Sequence, residues 1–302
     1  MTFPSSAGYG NLPNSAWSPV IYSKKTLLSL KKKSVVDDIT NTEFQGEINQ
    51  MGDTVKIIKQ PIISVSDYTR GQQLSSQDIV DEDITMLIDQ AKYYQFYFDD
   101  IEQKQSHVDY MDLCVDAASY ALRDTYDSNI LTYMASNVLA ANAVGSSGSP
   151  KTVGFGGGND YLPRDIVSRL ARLLEEQNVP WDNRFLVAAP AFYEALRRED
   201  SKLIETQVTG DPQSLIRNPK LATTAMIHGF KMYMSNNAPT DTYPVLLAGH
   251  GMATATAASI LKSETVRSQN SFGDINRGLL VFGRKVLRTE CLAKAVISIG
   301  DV

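Results

Sequence analysis

The groups from which a reactive site could be built are few in this 302-residue chain: three histidines, two cysteines and a scatter of acids. His107, His228 and His250 lie far apart, and none has the neighbours of a metal-binding run such as His-Glu-x-x-His. Asp99 and Asp100 are adjacent in a stretch that reads as strand, so their side chains point to opposite faces and cannot work as a pair. Asp109, Asp112 and Asp116 recur at helical spacing and would share one face. That spacing suits a hard cation, but it is also what a solvated helix face presents, and the solvated face is the reading taken. Gly154, Gly156, Gly157 and Gly158 suggest a phosphate loop. However, no Gly-Lys-Ser/Thr follows, and Asn159 stands where a dinucleotide-binding turn needs its last glycine. The stretch from Gly278 to Lys285 has the glycine spacing of a Walker loop, but its filling is apolar and strand-like, with Arg284 in the lysine position. No Gly-x-Ser-x-Gly elbow is present. Cys114 and Cys291 imply neither a disulfide framework nor a cysteine zinc site. The expectation is no catalytic residue, no metal and no cofactor.

Composition narrows the class. A hydrophobic content of 43% and a charged content of 21% are ordinary for a globular protein, and the net charge of −5 is mildly acidic. A dedicated nucleic-acid binder needs a concentrated basic surface. The one local basic cluster, Lys24, Lys25, Lys31, Lys32 and Lys33, reads as a solvated helix face. No apolar run approaches the roughly 20 residues of a membrane span, and the amino-terminal residues lack a signal core. Folding and assembly in a reducing cytoplasm, without a membrane, are expected.

Residues 1–20, rich in Gly, Pro, Ser and Asn, read as an extended arm that orders only against a partner. In that arm Tyr9 and Trp17 are the natural anchors. Ile21 to Val36 reads as a short helix. Thr54 to Val65 and Ile84 to Phe98 have the branched and aromatic content of strands. The polar residues between them, Ser66 to Asp83, form a long loop of the kind that is usually functional. Tyr68 and Arg70 are its candidate contacts with another subunit. Lys104 to Ala143 contains no Gly or Pro and predicts a helix about 60 Å long. Met111, Val115, Leu122 and Ile130 belong to its expected buried stripe. Residues 145–160 are a connector. Pro163 opens a helix, Arg184 to Ala189 is a buried strand, and Pro190 opens a second helix, which together suggest an α/β subdomain. Short strands are expected around Ile227 to Met234 and Val245 to Ala248, with two more between Gly278 and Ile299.

The order of these elements and several phrases resemble the major capsid proteins of tailed bacteriophages, of the Hong Kong 97 fold. The phrases are GDTVKI opening the hairpin, SDYTRGQ within it, and ITMLIDQAKYYQFYFDDIEQKQS returning into the long helix. VLLAGHGMATATAASILKSETVRSQNSFGDINRGLLVFGRKVLRTECLAKAVI closes the chain. The resemblance runs from about residue 20 onward. It implies an α+β fold with an N-terminal arm (1–43), an extended β-hairpin loop (44–102) and a peripheral domain with a spine helix (103–145). An axial domain (146–269) and closing peripheral strands (270–302) complete it. It further implies a structural, non-enzymatic subunit that self-assembles as hexamers and pentamers into an icosahedral head around double-stranded DNA, without sequence-specific binding. Portal and scaffolding proteins, and a decoration protein, are the implied partners. A lysine–asparagine cross-link known among relatives is not carried over to Lys56 or Lys59, because no matching acid and asparagine are evident. No long acidic helical prefix is present, so no fused scaffolding segment is expected. The competing readings are a bacterial nanocompartment shell of the encapsulin kind, separable by its cargo, and an α/β enzyme built on residues 146–269, which would need a catalytic constellation.

Overall fold

The computed structural model describes residues 34–43, 54–58, 60–61, 63–74, 76–79, 83–100, 110–154, 159–197, 226–269 and 272–300. The expected arm with Tyr9 and Trp17, the lysine cluster, His107 and Asp109 lie outside these residues. Helices and sheets share the chain, as an α+β fold requires. The helices are α1 (Val36–Ile39), α2 (Tyr110–Ser136), α3 (Pro163–Glu176) and α4 (Pro190–Arg197).

The larger core forms around an eight-stranded sheet. Its central path takes β4 (Ala143–Val144), β13 (Leu292–Ile299), β10 (Tyr243–His250), β6 (Arg184–Ala188), β8 (Phe230–Met234) and β7 (Met226–Ile227) in that order. Two short strands flank it: β5 (Lys151–Val153) on β13 and β9 (Thr240–Asp241) on β10. Every residue of β6 is buried, which explains the apolar run from Phe185 to Ala188: a central strand covered on both faces has no polar side to show. Ile166, Val167, Leu170, Leu173 and Leu174 of α3 repeat at helical spacing and are buried in the same core. Arg184 is the one charged member of β6. Its guanidinium, fully buried, donates to the carbonyls of Pro180 (2.7 Å) and Val179 (2.6 Å) just past the end of α3. Burial is tolerated because the donors are satisfied.

A three-stranded antiparallel sheet, ordered β11 (Thr254–Arg267), β12 (Gly273–Val286) and β3 (Gln90–Asp99), forms the second layer. Beside it stands the two-stranded hairpin of β1 (Thr54–Ile58) and β2 (Asp83–Leu87).

Several expectations change. The helix expected over 104–143 ends at Ser136: its described part, Tyr110–Ser136, is 27 residues or about 40 Å, and residues 104–109 lie outside the described residues. At its end Asn142 is recruited elsewhere: buried, it donates to the carbonyls of Glu290 and Leu292, and the chain enters β4 instead. Tertiary hydrogen bonds override helix propensity there. Of the expected buried stripe, Ile130 is fully buried, Val115 and Leu122 are half-buried, and the side chain of Met111 lies outside the described residues. Of the helix expected over Ile21 to Val36, residues 21–33 lie outside the described residues; α1 begins at Val36, next to Ser34 and Val35, which are held by Asp127. The strand expected to run to Val65 stops at Ile58, just before Pro61, which lacks the N–H a ladder needs. The single strand expected over Ile84 to Phe98 is two strands serving different sheets. The strand expected across Ile227 to Met234 is a hairpin turning at His228 and Gly229, both with positive φ.

Candidate assembly surface

Beyond Ile58 the chain leaves its own core. No strand is formed by the described residues between 60 and 79. Ile58, Ile63, Val65, Tyr68, Leu74 and Ile79 are 58% to 97% exposed. Single exposed apolar residues are normal, but six along one projecting segment mark a surface made for contact. The loop has local order of its own. The Ser64 amide and hydroxyl both donate to Gln77 Oε1 at 2.9 Å, tying the two legs together. At the turn, the Gln72 amide donates to the Thr69 carbonyl at 3.0 Å, and Gly71 adopts φ +88°, a conformation that favours glycine. Tyr68 and Arg70 stand on this turn, both exposed. The structure therefore brings Tyr68 and Arg70 into one projecting segment, while Tyr9 and Trp17 are outside the described residues.

The base of the loop is firmly held. Val55, Met86 and Ile88 are buried against Ala255, Ala257 and Val281 of the three-stranded sheet. Each large side chain contributes about 1.5–3 kcal/mol of apolar transfer. The small side chains of β11 admit the larger ones above them, and Gly283 lies where a Cβ would come within 2.9 Å of the Leu87 carbonyl oxygen. Lys56 and Asp83 pair across the hairpin at 3.0 Å, but both are largely exposed and the pair contributes little. At the far end of the sheet Arg267 of β11 binds Asp100 and Asp274, joining the exit of β3 to the β11–β12 hairpin. Those carboxylates hold the guanidinium above its usual range.

A second anchor fixes the amino-terminal side. Asp127 of α2, fully buried, accepts from Ser34 Oγ (2.9 Å) and from the amides of Val35 (3.0 Å) and Val36 (3.1 Å). Burial beside it pushes the Tyr126 phenol up to about 12. Sequence reasoning missed this residue and Arg267. Its signal for Asp127 was faint, one acid on a helix whose neighbours at positions 126 and 130 are apolar.

The reactive candidates are not brought together. His228 is exposed on its turn, while His250 is buried, accepts from the Met252 amide at Nδ1 (3.1 Å), and is pushed below the ordinary histidine range by that burial. Cys114 is half-buried and Cys291 buried, its thiol raised by desolvation. Asp116 is exposed, and among the described residues no group of three His, Cys, Asp or Glu could hold a metal. The Walker-like stretch lies within β12, as its apolar filling predicts. No helix among the described residues is long and apolar enough to cross a membrane.

A family model described as phage capsid protein matches residues 81–295, well over half of the chain. None of the curated proteins matches. Among solved structures, one from Mycobacterium phage Che8 has a TM-score of 0.77 at 26% identity, covering 92% of this chain and 97% of that one. The capsid structure of cyanophage P-SCSP1u has a TM-score of 0.72 at 16% identity, covering 99% of this chain and 100% of that one. The capsid of Ralstonia phage GP4 has a TM-score of 0.65 at 12% identity, with coverage of 99% and 100%. At such low identity the last two share the fold alone.

Proposed function

Because the chain belongs to the phage capsid protein family and has the Hong Kong 97 fold, we propose that its projecting loop is the element by which one subunit grips the next. The protein is a structural major capsid protein, and its work is self-association into the shell of the virion. The observation that carries the reading of the loop is its asymmetry, with a base buried on the three-stranded sheet and apolar residues along its legs that its own chain leaves exposed. Such residues gain their free energy only against another surface.

In this reading Tyr68 and Arg70 contact a neighbour, and Tyr9 and Trp17 anchor the amino-terminal arm on a neighbouring subunit. The segment around α3, α4 and β6 faces the centre of each hexamer or pentamer, and α2 is the spine of the peripheral domain. The shell is icosahedral and encloses double-stranded DNA, and the mildly acidic chain confines that DNA without binding it tightly. Assembly takes place in the host cytoplasm with portal and scaffolding proteins, and a decoration protein is a further partner. No enzymatic step is assigned to the chain. Many modest contacts per subunit, multiplied over a closed shell, make assembly effectively irreversible.

The test is the double substitution Tyr68→Ala with Arg70→Ala. Subunits with the wild-type unfolding midpoint that sediment slowly, beside wild-type particles that sediment fast, support the reading. Wild-type yields and rates of particle formation from the variant would overturn it. The arm is tested by trypsin: cleavage at Lys24 and Lys25 should be rapid in free subunits and suppressed in particles. Equal rates would remove the arm from the interface.

A further inference from the structure

β3 is the outer strand of the three-stranded sheet, paired with β12 along one side. The Asp100 amide donates to the Phe272 carbonyl at 3.2 Å, which sets the alternation along the ladder. Even-numbered residues of β3 bond to β12, while Ala91, Tyr93, Gln95 and Tyr97 turn their amides and carbonyls outward. None of these outward groups has a partner among the described residues. The same four residues are the ones whose side chains are exposed. The loop base covers this face of the sheet at Val281, opposite Ala91. Further along, Tyr93 is 76% and Tyr97 44% exposed. An open strand edge is normally blunted by a lysine, a proline or a bulge, because it templates the addition of another strand. The register of β3 on β12 runs without a bulge, and its four outward residues include neither proline nor charge.

We propose that this edge pairs with the same edge of a second copy of the chain, β3 against β3, antiparallel about a two-fold axis at Gln95. What selects a second copy is the self-complementary order of the side chains. From Lys92 to Phe98 the strand reads Lys-Tyr-Tyr-Gln-Phe-Tyr-Phe, close to a palindrome about Gln95. Antiparallel pairing about that residue sets Tyr93 opposite the second copy's Tyr97, Tyr94 opposite its Phe96, and Gln95 opposite Gln95. Directly opposed aromatic side chains are favourable cross-strand pairs, and the outward amides and carbonyls of both copies satisfy one another. The rings are already oriented for it. Tyr97 donates its hydroxyl to the Phe272 carbonyl at 3.0 Å, and the rings of Tyr94 and Phe96 stack on the other face with centroids 6.0 Å apart. The product is one continuous sheet with three strands from each copy, an isologous contact in which one surface meets itself. This contact is separate from the projecting loop, whose grip on a neighbour joins two different surfaces, and it does not rest on that reading.

The residue on the axis supplies the test, because there each copy meets its own kind. In a Cys114→Ala, Cys291→Ala background, Gln95→Cys sets two thiols on residues whose Cα atoms are about 5.5 Å apart in such a pair, within the span of a disulfide. Oxidised mildly at the concentration at which the wild-type chain assembles, it should give two chains joined through residue 95, well above a control with Ser128→Cys, an exposed site on α2. A yield no higher than the control's would overturn the proposal. In a mixture of Gln95→Cys and Val65→Cys chains, links found only between residues 95 and 65 would place a neighbour's loop on the edge, which overturns the two-fold while leaving the loop's grip intact. Charge gives an independent readout. Gln95→Lys alone and Gln95→Glu alone each oppose like charges on the axis and should weaken association, whereas an equal mixture should restore it. The substituted side chain is exposed, so the unfolding midpoint of each variant should stay at the wild-type value. A mixture that associates no better than either variant alone would overturn the two-fold as well.

Discussion

Asp127 is worth more than its single carboxylate suggests, because it ties the start of α1 to α2. It supplies the acceptor for two buried amides and one hydroxyl that helix α1 does not satisfy itself. Asp127→Ala should therefore cost about 2–4 kcal/mol, the penalty of leaving those donors unpaired. Asp127→Asn, which keeps an acceptor oxygen, should cost clearly less, and urea midpoints of the two variants give the comparison. Equal losses would mean that shape matters there and hydrogen bonding does not. Ile130 lies one turn further along α2 and is fully buried. An unpaired carboxylate at that position costs several kcal/mol, a large part of the ~5–15 kcal/mol that hold a domain together. Ile130→Asp should abolish soluble subunit, whereas Leu122→Asp, at a half-buried site, should be the milder of the two. His250 gives a pH dependence with a definite sign. Its native value lies below the ordinary 6.5, so the unfolded chain binds the proton more readily. The contribution of His250 is complete above that ordinary value and is lost as pH falls through the lowered native one. Stability of wild type against His250→Gln, followed from pH 8 to pH 5 as an approximate working range for histidine, should diverge in favour of the variant's flatter profile on the acid side. Parallel profiles would show that the imidazole does not titrate on unfolding. At this scale the sequence was least legible. The exposed Tyr68 and Arg70 followed from a polar loop, but Asp127 and Arg267 act through partners 91 to 93 and 167 positions away, which no local pattern carries.

The elements were easier to read than their ends. The strands of the hairpin, the long helix, α3 with its opening proline and the buried β6 all exist where composition and periodicity place them. Their limits moved where tertiary hydrogen bonds won, as at Asn142, or where proline ended a ladder, as at Pro61. The longest strand that sequence reading did not assign, β11, has alternating Thr and Ala at its start. Its inward Ala255 and Ala257 are too small to register as core, yet their smallness is what seats Val55, Met86 and Ile88 of the loop base. That fit yields a prediction at the element scale. Ala257→Leu overfills the contact, at a cost of about 1–3 kcal/mol typical of overpacking, and should loosen the hairpin base without melting the eight-stranded core. Hydrogen exchange should then rise in β1 and β2 while β6 and β10 stay protected. Uniform loss of protection would show that the two layers do not fold as separable units.

For the whole molecule, function shows in the contrast between a well-buried interior and a loop that presents its apolar residues outward. An enzyme would concentrate its unusual groups in a pocket. Among the described residues His228, His250, Cys114 and Cys291 are dispersed, and six exposed apolar side chains follow one another along the loop. The sequence conveyed this through the order of its elements more than through any residue, because a subunit that works by association carries its chemistry in shape. The central claim is that copies of this chain build a shell through the loop that each projects from its core. Negative-stain electron microscopy of the expressed protein, beside a variant with residues 62–80 replaced by a short glycine linker, tests this most directly. The account predicts closed shells, tubes or ring-shaped capsomers from the intact chain, and folded but dispersed subunits from the variant. Dispersed monomers from the intact chain under all assembly conditions, or identical shells from both proteins, would contradict it.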